Sequence, residues 1–209
     1  MAKTMHQKMV IRLRHPDGDF YATEPSAALD IMRIEPDIRH IWEPACGEGH
    51  LAKEFLRCGE LAHATDIVDR GYVRQEGTMD FLRYDGRFGN PFVGDIVTNP
   101  PYDLALPFVL KALEVVAKEQ FVAMFLPLTF METHTRYNAL FSAKPPVRVW
   151  AYVKRRHCAL NGDFTKYGHN NMKAYAWYVW QKGNYRSGTQ LRWIDPAQES
   201  KQQLLLLGS

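Results

Sequence analysis

The sequence predicts an α/β fold: a mainly parallel, doubly wound sheet with an antiparallel hairpin near the C-terminus. Three observations predict it. The apolar stretch His40-Ile41-Trp42 runs into a glycine-containing turn, Glu43-Pro44-Ala45-Cys46-Gly47-Glu48-Gly49-His50, and then into the helical pattern Leu51 to Leu56. Strand, turn and helix in that order make the first crossover of a doubly wound sheet. A second run, Asp95-Ile96-Val97-Thr98, ends abruptly at Asn99-Pro100-Pro101-Tyr102, and Leu104 to Ala117 then carries apolar residues at helical spacing. Finally, the strand patterns Val147 to Val153 and Ala174 to Trp180 flank one polar linker, as a hairpin would.

Each element has a local reason. Ala27 to Met32 reads as a helix, with Thr23 or Ser26 as its cap and Pro25 tolerated in its first turn. Leu61 to Asp66 reads as the second strand of the sheet, ending on a carboxylate. Thr78-Met79-Asp80-Phe81-Leu82 follows as a loop with one acidic and one aromatic side chain. Phe121 to Leu126 is a continuous apolar strand stopped by Pro127, and Pro145-Pro146 introduces the next. Leu204 to Leu207 reads as a loose tail or a small packing patch, and the chain shows no internal repeat.

Two turns carry the chemistry. Neither Pro100 nor Pro101 has an N–H, and each has a fixed φ, so the turn after the strand is stiff. Its carbonyls and the Asn99 amide have no ladder to consume them, and the Tyr102 ring lies beside them. Such a turn suits a flat amino group: acceptors for its hydrogens and a ring behind its plane. In the first turn, Gly47 and Gly49 let backbone approach a ligand closely. The turn lacks the third glycine of a dinucleotide fingerprint, and Glu43 at the strand end favours a cation over a pyrophosphate.

Taken together, Asp-Phe-Tyr near the N-terminus, Glu-Pro-Ala-Cys-Gly-Glu-Gly-His, Asn-Pro-Pro-Tyr and the late Trp-rich strand resemble the S-adenosylmethionine-dependent adenine-N6 DNA methyltransferases, in a compact phage or prophage form. The resemblance covers most of the chain. It implies a Rossmann-like class I methyltransferase fold over residues 1–209, a single domain with no separate target-recognition domain. Residues 1–36 would close over the cofactor, 37–130 would hold the cofactor and the catalytic turn, and 145–195 would form the hairpin with its basic loop. The catalytic residues implied are Asn99, Pro100, Pro101 and Tyr102. Those implied for S-adenosylmethionine are Phe20, Tyr21, Thr23, Glu43, Pro44, Ala45, Cys46, Gly47, Gly49, Asp66, Ile67, Asp80, Phe81 and Asn99. Glu43 would take the methionine ammonium, Asp66 (with Asp69 as a rival) the ribose hydroxyls, and Asp80 the adenine amino group, with Phe81 against the ring. Cys46 is read as a small side chain under the ligand, not a nucleophile. Tyr102, and either Phe164 or Tyr167 from the linker, would stack on a flipped base.

Charge points the same way. Residues 1–142 carry 15 Lys and Arg against 20 Asp and Glu, a balance of −5; residues 143–209 carry 11 against 3, a balance of +8. A basic final third fits contact with a phosphate backbone, for which Arg155, Arg156 and Lys166 are the candidates. Target recognition would fall to the loops around Thr129 to Lys144 and Arg155 to Lys173, which implies a short or relaxed site. The expected partner is therefore nucleic acid, DNA first. No apolar run reaches the length of a membrane span, and the basic start has no apolar signal core. Three cysteines without metal-ligand spacing, and eight histidines without an HxxxH pattern, predict a reducing cytoplasm (a bacterial host's, if phage-encoded) and no metal. Three other readings share these motifs: a protein glutamine-N5 methyltransferase, an RNA adenine-N6 methyltransferase and a non-catalytic cofactor-binding protein.

Overall fold

Alternation along two central strands lays down both layers of the core. Strand β5 (Phe121–Pro127) sends Val122, Met124 and Leu126 into one apolar cluster, and Ala123 and Phe125 into another on the opposite face. Strand β8 (Tyr175–Gln181) does the same, with Ala176, Tyr178 and Trp180 on one side and Tyr175, Trp177 and Val179 on the other. Both faces are covered, so these strands read as unbroken apolar runs. The structure is a computed structural model and describes residues 21–154, 156, 158–160 and 173–196.

The other strands and the longer helices, in chain order, are β1 (Tyr21–Thr23), α1 (Ser26–Ile34), β2 (Ile41–Glu43), α2 (Ala52–Arg57), β3 (Leu61–Ala64), β4 (Asp95–Thr98), α3 (Ala105–Val115), β6 (Arg148–Tyr152), β7 (Cys158–Leu160) and β9 (Gln190–Ile194). Seven strands form one sheet in the order β3-β2-β4-β5-β8-β6-β9. The first four are parallel, β8 runs antiparallel to β5 and β6, and β9 lies parallel to β6. The α/β class, the mainly parallel sheet and the late antiparallel pairing all agree with the sequence reading.

Four differences from the sequence reading appear. The segment after Asn-Pro-Pro opens as a 3-10 turn, Tyr102–Leu104, before α3 begins. Helix α1 starts behind Pro25 with no side-chain cap, so neither Thr23 nor Ser26 caps it. Two pairings were not anticipated. β9 extends the sheet beyond the hairpin, and β1 pairs antiparallel with β7 in a small second sheet, Thr23 opposite Cys158. A three-residue strand such as Tyr-Ala-Thr has too little periodicity to be read without its partner.

Polar anchors fix the layers. Glu35, 4% exposed, accepts from Arg148 Nη2 at 2.7 Å and Trp150 Nε1 at 2.6 Å, which ties α1 to β6. Trp177 Nε1 donates to the Ala27 carbonyl. Asp95, 3% exposed, accepts from the Arg39 N–H at 2.7 Å and the Phe121 N–H at 2.6 Å. Burial pushes its carboxyl up to about 6, against the pull of those two donors.

Candidate active site

The chain leaves β2 toward β3 on one side and returns through β4 toward β5 on the other. The strand order therefore reverses between β2 and β4, and ligands of open α/β sheets bind outside the strand ends at such a point. Glu43 ends β2 and Thr98 ends β4, so the two sequence motifs emerge side by side. A cleft opens there, lined by Thr23, Glu43, Cys46, Asp66, Asn99 and Tyr102, among others. Ala45, Ile67, Pro100 and Pro101 also line it. It continues into a second compartment lined by Pro44, Met79, Asp80 and Phe81, and Asp66 borders both.

The two compartments offer different chemistry. In the first, Glu43 is 2% exposed and its Oε2 has no hydrogen-bond partner. Burial, and then the Asp66 charge, hold its carboxyl well above the usual range, while the Ala52 N–H pulls the other way. A buried acceptor in that state calls for a cationic donor, as the ammonium of an amino-acid moiety would be. Asp66 braces the turn: its Oδ2 accepts from the Gly47 N–H at 2.9 Å and its Oδ1 from the Val68 N–H at 3.0 Å. Each carboxylate oxygen keeps a second lone pair for hydroxyls. Its rival Asp69 instead accepts from the Gly71 N–H within its own turn. In the second compartment Asp80 Oδ1 caps the short helix Phe81–Arg83 through the Leu82 N–H, whereas buried Oδ2, 3.8 Å from Arg83 Nε, has no hydrogen-bond partner. An amino group on an aromatic ring between Ile67 and Phe81 would satisfy it. This set of carboxylate acceptors fits S-adenosylmethionine.

The glycines divide the work. Gly47, at φ +54°, turns its N–H onto Asp66. Gly49 corrects the sequence reading: at φ +79°, a Cβ there would collide with the Tyr72 ring, so the residue makes room for a side chain and not for a ligand. Cys46 is buried, and burial together with the Glu43 and Asp66 charges pushes its thiol up, so it stays protonated and unreactive.

On the Asn-Pro-Pro-Tyr turn, Asn99 Nδ2 donates to Thr23 Oγ1 at 2.7 Å. The Tyr102 ring lies 5.9 Å from Tyr175 and 5.8 Å from Lys173 Nζ. Sequence reasoning passed over Lys173 and Tyr175. The signal was the start of the Trp-rich strand: Pro127 pairs with Tyr175, which puts that strand's first residues at the carboxyl end of β5, beside Tyr102. Arg156 corrects a second expectation. It faces inward, onto Asp30 at 2.7 Å and Glu24 at 3.6 Å, with its side chain 14% exposed. It stitches the fold and is not presented to phosphate. Tyr21 begins β1. Phe20, Arg155, Phe164, Lys166 and Tyr167 lie outside the described residues.

Solved structures share this fold. A protein from Listeria monocytogenes assigned to the class I S-adenosylmethionine-dependent methyltransferases aligns with 96% of this chain and 76% of its own, at TM-score 0.57 and 11% identity. The fold is that of the class I methyltransferases. The methyltransferase subunit of a type I restriction-modification system from Streptococcus thermophilus aligns with 92% of the chain at TM-score 0.60 and 13% identity. The chain spans 51% of that subunit, about half its length. The 1,6-didemethyltoxoflavin-N1-methyltransferase of Burkholderia thailandensis, solved with S-adenosylhomocysteine, aligns with 87% of this chain and 91% of its own, at TM-score 0.59 and 13% identity. No protein-family model and no curated protein sequence matches the chain. Among the described residues, no helix is long and apolar enough to cross a membrane, and no cluster of His, Cys, Asp and Glu could hold a metal ion.

Proposed function

We propose that this protein transfers a methyl group from S-adenosylmethionine to the N6 amine of adenine in DNA. The observation that carries the reading is the turn Asn99-Pro100-Pro101-Tyr102 on the same cleft as Glu43 and Asp66. Bound S-adenosylmethionine would supply a methyl already activated by a sulfonium. Glu43 would hold its ammonium, Asp66 its ribose hydroxyls, and Asp80 with Phe81 its adenine.

The residues of the turn then act on the acceptor. The Asn99 side-chain carbonyl and the Pro100 backbone carbonyl accept the two N6 hydrogens. This would draw the nitrogen toward a pyramidal shape and leave its lone pair available to the methyl that the cofactor would supply. The N6 lone pair would receive a methyl cation equivalent, with the sulfur's electron pair kept by the cofactor. The two carbonyl oxygens would stabilise the positive charge gained by the amine, and water would take the proton it then gives up. Most of the rate comes from position, since no covalent intermediate is needed. Extruding the base costs a few kcal/mol, and stacking on Tyr102 recovers roughly 1–3 kcal/mol of it.

The basic final third and the Lys173 ammonium near Tyr102 favour nucleic acid over a protein amide as the acceptor. A labelled-methyl assay on duplex DNA, single-stranded DNA, RNA and protein extract, followed by nucleoside mass spectrometry, tests this. N6-methyladenine in DNA is the expected product. Label confined to RNA or to glutamine would replace the substrate, and no transfer at all would leave a cofactor-binding protein.

A further inference from the structure

We propose that Thr23 is the positioning residue for Asn99: its hydroxyl holds the amide nitrogen so that the amide carbonyl is the arm left for the acceptor amine. The inference rests on the methyl-transfer reading and assigns this hydroxyl a task other than contact with the cofactor.

An asparagine amide is nearly symmetric in shape and opposite in chemistry at its two ends, one a double donor and the other an acceptor. An amine presenting hydrogens needs the acceptor end. Neither Pro100 nor Pro101 has an N–H that could donate to the amide oxygen. The selecting contact comes from 76 residues away, where Asn99 Nδ2 donates to Thr23 Oγ1 at 2.7 Å. Thr23 is 2% exposed, so water does not compete for the bond. Its own place is fixed by strand pairing, as the last residue of β1 opposite Cys158 of β7. A β-branched side chain on a paired strand has few rotamers, which makes the hydroxyl a rigid peg. Ala22 and Thr23 also line the first compartment, so β1 stands as a wall of the cleft with its polar atom turned to the catalytic amide.

Thr23→Val keeps the shape and deletes the peg, and Thr23→Ser restores the hydroxyl. The expected result for the valine variant is a kcat lower by on the order of 10–100-fold at saturating S-adenosylmethionine and DNA, the scale of a misplaced reacting group. Cofactor Kd from calorimetry should stay within about twofold. The serine variant should recover most of the rate. A second readout needs no activity: the Asn99 side-chain NH2 resonance, assigned from Asn99→Asp, should show slow solvent exchange in the wild type and in the serine variant, and fast exchange in the valine variant. An unchanged kcat in the valine variant overturns the inference, as does a loss confined to cofactor Kd or an Asn99 NH2 that exchanges equally in all three proteins. If the wild type transfers no methyl to any substrate, the methyl-transfer reading fails, while the exchange measurement still decides whether Thr23 holds Asn99.

Discussion

Arg156 and Asp30 form an ion pair, Nη2 to Oδ2 at 2.7 Å, in which the carboxylate is fully enclosed and the arginine side chain is 14% exposed. The pair joins the segment after β6 to the middle of α1, across 126 positions. The Arg156 guanidinium also lies 5.5 Å from the centre of the Tyr152 ring. This is the geometry of a structural tie. Removing the cation leaves Asp30 buried, with the Tyr152 hydroxyl bonded to it and Arg33 3.7 Å from its other oxygen to balance its charge. Breaking such a pair on one side costs about 3–5 kcal/mol. Arg156→Ala should therefore lower the urea midpoint sharply and leave the salt dependence of any DNA binding by the folded fraction unchanged. A stable variant with a lower salt slope would return Arg156 to the nucleic-acid surface.

Asp95 should make stability depend on pH. Its carboxyl is raised from the usual 3.8 to about 6 by burial, so the fold binds its proton more tightly than the unfolded chain does. Its contribution is complete below about pH 4 and is lost as pH rises through about 6. At about 1.4 kcal/mol per unit, the loss approaches 3 kcal/mol. Asp95→Asn should abolish this slope. It should also cost about 1–3 kcal/mol, because an NH2 would then face one of the two backbone N–H donors. Urea melts of both proteins at pH 4.5 and pH 7 measure the two effects; parallel pH profiles would show that Asp95 titrates elsewhere.

Glu43 should couple cofactor binding to proton release. Burial and Asp66 keep it well above the ordinary carboxylate range, so the free site carries a proton to unusually high pH. A cationic ammonium favours the ionised form. Affinity should rise with pH until Glu43 ionises in the free protein, and binding below that point should release protons. Calorimetry in buffers of different ionisation enthalpy reads the release directly. Glu43→Gln should bind more weakly and lose the buffer dependence. An unchanged buffer dependence in that variant would move the ammonium site away from Glu43.

Asn99 and Cys46 should separate chemistry from binding. Asn99→Ala is expected to keep cofactor affinity and lose methyl transfer. Cys46→Ser should keep substantial activity, since the thiol is held protonated and makes only long contacts, 3.8 Å to the Gly47 carbonyl and 3.9 Å to Gln75. Wild-type rates in the Asn99 variant would overturn the proposed mechanism.

Lys173 should contact phosphate beside the acceptor pocket. Its ammonium lies 5.8 Å from the Tyr102 ring. If one phosphate contact is removed, Lys173→Ala should lower the log–log salt slope of DNA binding by about 1, equally for all sequences tested. An unchanged slope would restrict the backbone contacts to other cations of the final third.

What the sequence determined alone was local. Each crossover needs a strand, a turn and a helix within about thirty consecutive residues, and each left its own period. The turn after β4 was legible because two prolines after an apolar strand leave the backbone few choices. The turn after β2 was legible through Glu43 and the glycine at 47. The tertiary structure decided everything that depends on residues far apart. It put Thr23 against Asn99, Lys173 and Tyr175 beside Tyr102, and Tyr72 over Gly49. It also turned Arg156 inward, because Asp30 is buried on a helix that packs against the same sheet. A cation in a list of residues carries a sign but no direction. Its partner is chosen by which carboxylate the fold removes from water, and that choice exists only once α1 and β6 have come together.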